Sequence, residues 1–138
     1  EAGTLKICQK SGFIEYINSC LRGSNGLECG KCWKCFNKNG PLGRKIQFDS
    51  KEIQEFIHRV PLKTGVHALW SLQSQNLEHR VSHLHHLLGE SFAWWEMYYE
   101  PGLKMIGVQL RDVVEKNTKR YLQPMGENIP LERVNLYP

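Results

Sequence analysis

Four cysteines within sixteen residues constrain this chain more than anything else in it: Cys20, then eight residues, then Cys29-Gly30-Lys31-Cys32-Trp33-Lys34-Cys35. Two consecutive Cys-x2-Cys steps with a remote fourth cysteine supply every ligand of a tetrahedral zinc site, in which thiolates bind at ~2.3 Å. Five glycines, three asparagines and Pro41 between positions 21 and 43 forbid a long helix across the cluster, so a metal is expected to organise this stretch. Gly30 gives the knuckle its backbone freedom, and Lys31 and Lys34 offset surplus negative charge. A four-thiolate shell leaves no position for water, which makes the zinc structural and places any chemistry elsewhere.

The same spacing is similar to part of a ferredoxin run, so an iron–sulfur cluster, with electron transfer or radical chemistry, stands as the rival reading. Five cysteines, an odd number with four of them clustered, do not read as a secreted disulfide framework and favour a reducing cytoplasm. Cys8, beside Leu5 and Ile7, reads as a small buried hydrophobe. The 138 residues, 41% hydrophobic and 23% charged, suffice for one globular domain. Their longest apolar stretches fall far short of the ~20 residues of a spanning helix, so no membrane is expected. The net charge of +4 is spread along the chain, which permits nucleic-acid binding without indicating it. The start Glu1-Ala2-Gly3-Thr4 has neither Met nor a secretory layout and is expected to be a cut within a longer protein.

Along the chain, 6–21 reads as a short element, a turn at Ser11-Gly12 and a second short element. Asp49-Ser50-Lys51-Glu52 offers an N-cap to a helix carrying Ile53, Phe56, Ile57 and Val60 and ending at Pro61. The longest helix is expected over 66–88, with Leu69, Leu72, Leu77, Val81, Leu84 and Leu88 on one face and Gly89 as its cap. An aromatic segment over 90–100 ends at Pro101-Gly102, and Ile106, Leu110, Val113 and Val114 support a further helix to about 122. The tail, 123–138, with Pro124, Pro130 and Pro138, reads as extended.

Three other groups could carry chemistry. His79 and His83 stand at the i, i+4 spacing of zinc-binding helices, but no Glu follows His79. With His85 and His86 they read instead as the polar face of a helix, a phosphate contact being the lesser alternative. Trp94, Trp95, Tyr98 and Tyr99 offer aromatic faces for a purine or nucleic-acid base, against the commoner role of core packing. Adjacent Trp94 and Trp95 cannot both face inward on one helix, so at least one is expected to meet a ligand or neighbouring domain. Asp112 and Glu115, flanked by Arg111, Lys116 and Lys119, read as a solvated charged face.

Ser19-Cys20 followed by Cys29-Gly30-Lys31-Cys32-Trp33-Lys34-Cys35 resembles the C-terminal zinc motif of the 7-cyano-7-deazaguanine synthase family. The likeness covers about 6–39. That family consists of PP-loop ATP pyrophosphatases, in which an N-terminal Rossmann-like domain binds ATP on a Ser-Gly-Gly-x-Asp-Ser loop and activates a carboxylate, with the zinc structural. No such loop occurs in these 138 residues, and Lys38 stands where the family has Arg. The resemblance therefore implies a divergent relative. The chain would be mostly α with an irregular four-cysteine zinc loop, the C-terminal part of a larger α/β protein, and not active alone.

The expected organisation is a zinc-binding segment, 1–48, with a helical region, 49–138, packed on it as a single compact domain. The implied cofactors are zinc and, only with an upstream PP-loop domain, ATP and Mg2+. Expected partners are that missing nucleotide-binding domain and, as an open reading, a second copy in a homo-oligomer. Lys38, Arg44, Trp94 and Trp95 are the residues expected to contact substrate or partner. The alternative is a non-enzymatic zinc module whose loop cations Arg22, Lys31, Lys34, Lys38, Arg44 and Lys45 bind nucleic acid or a protein.

Overall fold

The amphipathic pattern Ile53, Phe56, Ile57 becomes helix α3 (Lys51–Arg59), with all three side chains buried. Its capping residues serve elsewhere: Asp49 pairs with Arg80 at 2.5 Å, and the Ser50 hydroxyl donates to the Lys31 carbonyl at 2.8 Å. The computed structural model describes residues 1–59 and 65–126, so Val60, Pro61, Pro130 and Pro138 lie outside the described residues. Other helices are α1 (Ala2–Ser11), α2 (Trp33–Lys38), α4 (Gly65–Ser74), α5 (Glu100–Leu103) and α6 (Val108–Tyr121). Among the described residues there is no strand, only isolated bridges at Ser24–Leu27 and Tyr98–Pro124. No helix among them is long and apolar enough to cross a membrane.

The described residues form two compact units, one of 1–15 with 93–126 and the other of Tyr16–Phe92. Among the described residues the boundaries between these units fall at 15/16 and 92/93.

In the unit Tyr16–Phe92, α4 is buried on every side from Gly65 to Leu72, as expected of a central helix. At six residues, α2 is far below the ~12–15 that an isolated helix needs. Packing holds it: Phe36 is fully buried against Phe48 and Phe56, and its carbonyl accepts from the buried Ser71 hydroxyl at 3.0 Å. The Nε2–H of buried His67 donates to the Asn37 carbonyl at 3.1 Å.

The long helix expected over 66–88 is not formed. Helix α4 stops at Ser74 because Asn76 takes a left-handed φ of 54°, and Leu77 N–H turns back to the Leu72 carbonyl at 3.0 Å, a left-handed helix stop. The chain continues as two 3-10 turns, Glu78–Arg80 and Ser82–Leu84. Val81 and Leu84 are still buried, but His79 and His83 no longer share a helix face. The Gln73 side chain anchors the return, donating to Glu90 O at 2.8 Å and accepting from Phe92 N–H at 2.7 Å.

In the other unit, α1 ends at Gly12 with φ 78°, where the sequence places a turn. Its Gly3 lies close to Leu122, which a Cβ on Gly3 would approach to 3.2 Å. Lys6 pairs with Glu96 at 2.9 Å, and Lys10 donates to Tyr121 O at 2.6 Å. Pro101, expected to end the aromatic segment, stands in the first turn of α5, where its missing N–H costs nothing. Helix α6 forms as expected, yet Val108, Leu110 and Val113 are exposed.

Candidate metal centre

The loop from Cys20 to Cys29 is closed by a tight turn: Asn25 and Gly26 have φ of 53° and 74°, and Leu27 N–H donates to Ser24 O at 3.0 Å. An Asn-Gly pair with both φ positive is the preferred two-residue hairpin connection. Gly23 is required beside it, since a Cβ there would lie 1.8 Å from the Leu27 carbonyl oxygen. The second half is turned by Gly30, φ 68°, whose carbonyl accepts from Gln47 N–H at 2.8 Å. Helix α2 then presents Cys35 from its first turn.

These turns bring the four sulfurs within 4.8 Å of one another. Cys20 and Cys32 are 3.8 Å apart, Cys29 and Cys35 3.9 Å, and Cys32 and Cys35 3.5 Å. Four sulfurs each ~2.3 Å from one tetrahedral ion would stand ~3.8 Å apart, so the cluster has the dimensions of a single-ion site. The spacing is far too long for a disulfide, whose S–S bond is ~2.05 Å, and all five cysteines are free thiols. A polynuclear iron–sulfur cluster lies between its thiolates and separates them more widely than one ion does. Cys20, Cys32 and Cys35 are buried and Cys29 is half-buried.

Burial tends to raise the Cys20 thiol. The N–H groups of Cys29 and Arg22, with the neighbouring thiols, outweigh burial and hold it down at about 6. The Cys29 N–H reaches the Cys20 sulfur at 3.4 Å. Burial pushes the thiols of Cys32 and Cys35 up, and only a cation among them makes the thiolate the favoured form.

A part-buried ion pair braces the knuckle. Lys38 Nζ donates to the Glu28 carboxylate and, at 2.8 Å, to the Ile17 carbonyl, while Arg44 stands 3.8 Å from the same carboxylate. Glu28 also accepts from Ser19 N–H at 3.2 Å. Burial would raise its pKa, but Lys38, Asn39 and Ser19 hold it below the usual carboxylate range. Lys38 and Arg44, expected to contact substrate or partner, are thus directed at Glu28. Glu28 is the site residue that reading the sequence misses; its only signal is an acid directly before Cys29 in a loop otherwise rich in cations.

Trp94 and Trp95 belong to the other unit, half-buried and packed edge to face at 5.7 Å and 87°. The histidines share no metal-binding arrangement with the cysteines: the described cysteine group contains none. His83 instead stacks on His58 at 4.5 Å, and His85 Nε2–H donates to Glu78 O at 3.0 Å. Asp112 is exposed, and Glu115 pairs with Lys119 at 2.6 Å on α6.

No curated protein and no solved structure shows significant similarity to the chain. Residues 1–132 match a family of unknown function, DUF6395, and the chain belongs to that family.

Proposed function

We propose that Cys20, Cys29, Cys32 and Cys35 hold a structural zinc ion in the C-terminal portion of a PP-loop ATP-pyrophosphatase-like enzyme, akin to 7-cyano-7-deazaguanine synthase. The observation that carries the metal is the tetrahedral spacing of four sulfurs, 3.5–3.9 Å where they touch. No further ligand is needed, so the ion shapes the loop and does no bond making. The enzyme class rests on the Ser-Cys, Cys-Gly-x-Cys-x-x-Cys motif. In this reading an upstream domain supplies the ATP and Mg2+ site and activates a carboxylate, and the present chain completes the fold around it.

Elemental analysis of protein purified without added metal, with a visible spectrum, tests the first half. One zinc per chain and no visible absorbance is the expected result, and iron with inorganic sulfide overturns it. The second half predicts a Ser-Gly-Gly-x-Asp-Ser loop upstream in the open reading frame and carboxylate-dependent release of pyrophosphate from ATP by the full-length protein. An open reading frame without that loop removes the enzyme reading and leaves the zinc site standing.

A further inference from the structure

A groove of about 470 Å³ opens beside the metal knuckle, lined by Trp33 and Phe56, the cations Arg22, Lys51 and Arg59, and the carboxylates Glu52 and Glu55. That volume lies within the ~300–1,000 Å³ of small-molecule sites. Its wall is aromatic. Trp33 stacks on the buried Phe56 with ring centres 5.6 Å apart and planes 20° from parallel, and its indole N–H has no partner among the described residues.

The charges are arranged unevenly. Arg22 is engaged by Glu52 and Lys51 faces Glu55 at 3.8 Å, whereas Arg59 has no ion pair among the described residues. A purely anionic ligand such as an acidic peptide would meet two carboxylates in the same groove. A ligand with a planar ring, hydroxyl donors and one anionic group fits these walls: the ring lies along the Trp33–Phe56 pair, where the Lys34 ammonium also sits 5.8 Å from the indole, the donors add to the ion-paired Glu52 and Glu55, and the anion meets Arg59.

We infer that this groove is a nucleotide-binding site, taking a base against the Trp33–Phe56 wall and its phosphate on Arg59. The inference does not rest on the PP-loop reading. It does depend on the knuckle, because Trp33 follows Cys32 directly and Arg22 stands two residues after Cys20. The nucleotide comes either free or as one unit of a single strand, and both present the same chemistry.

The test is titration of the zinc-loaded protein at low ionic strength with AMP and with a short fluorescein-labelled oligouridylate. Saturable binding is expected, weakened roughly tenfold by Arg59→Gln, the loss of about one charge-assisted hydrogen bond. A comparable loss is expected for Trp33→Leu and none for Lys119→Gln on α6. Zinc content of Trp33→Leu shows whether its knuckle is intact, and Arg59→Gln, altering an exposed side chain, decides the matter if it is not. AMP binding as tightly as the oligomer assigns a free nucleotide, and binding of the oligomer alone assigns a strand. No binding of either probe overturns the inference, as does binding that Arg59→Gln leaves unchanged or that Lys119→Gln weakens equally.

Discussion

Lys38, the last residue of α2, reaches back to Glu28, the residue before the second metal ligand, and joins it in a part-buried ion pair. With the Ile17 carbonyl as a further acceptor, one ammonium group ties together the approach to Cys20, the approach to Cys29 and the end of the helix that carries Cys35. Removing Lys38 leaves Glu28 with Arg44, 3.8 Å away, as its remaining countercharge, and breaking a buried pair outright costs ~3–5 kcal/mol. Lys38→Met is accordingly expected to destabilise the zinc-loaded protein by about 3 kcal/mol, while Lys38→Met with Glu28→Leu recovers most of the loss. Denaturant titration of the wild type, both single variants and the double checks this. Equal losses in the single and double variants would show that the pair contributes only packing.

The same pair has a pH signature. Glu28 has its folded pKa depressed, so the stability it contributes is complete above its unfolded value, about 4.3, and is lost as pH falls through the folded value. The stability difference between wild type and Glu28→Gln should be constant from neutral pH to about 5 and shrink below about 4. Measuring the difference between the two proteins cancels the acid release of metal common to both. A difference that grows on acidification contradicts the assignment.

Metal removal should unfold the unit that contains the knuckle. Structural zinc is worth roughly 10–16 kcal/mol of apparent binding free energy in small zinc-binding peptides, and burial here opposes the thiolate form of Cys32 and Cys35. Cys32→Ser or Cys35→Ser is expected to abolish stoichiometric zinc. Chelation of the wild type should increase amide exchange across 16–59, whereas Cys8→Ser, in the other unit, leaves zinc content unchanged. Retained protection after chelation would show that packing and the Lys38–Glu28 pair suffice without the ion.

Gly23→Ala tests the hairpin. The added methyl group would sit 1.8 Å from the Leu27 carbonyl oxygen, so the backbone must move, at a cost of about 1–3 kcal/mol. The variant should hold zinc more weakly in a chelator competition, with Gly89→Ala, where a Cβ meets nothing within 4 Å, as the silent control.

How far the sequence could be read depended on whether the information was local. The cysteine spacing was legible because metal geometry maps directly onto residue number, and α3 because Ile53, Phe56 and Ile57 repeat at the helical period and do become buried. The stretch 66–88 misled because its leucines keep a helical period through a left-handed turn at Asn76, and a single backbone dihedral outweighs a pattern. For α6 the period correctly gave a helix but not its environment, since Val108, Leu110 and Val113 stay exposed. The role of Glu28 was out of reach because Lys38 approaches it from ten residues away through the tertiary fold.

The tight turn at Asn25-Gly26 leaves its flanking residues exposed from Leu21 to Leu27. The Gly26 carbonyl accepts from the Asn18 side chain at 3.3 Å, and that side chain accepts from Cys20 N–H at 3.0 Å, so chain added at that tip is one side chain removed from the first sulfur. The turn is thus the natural place to splice a dye-bearing cysteine-free tag or an epitope, and a reporter placed there would follow the loading and loss of the ion in real time.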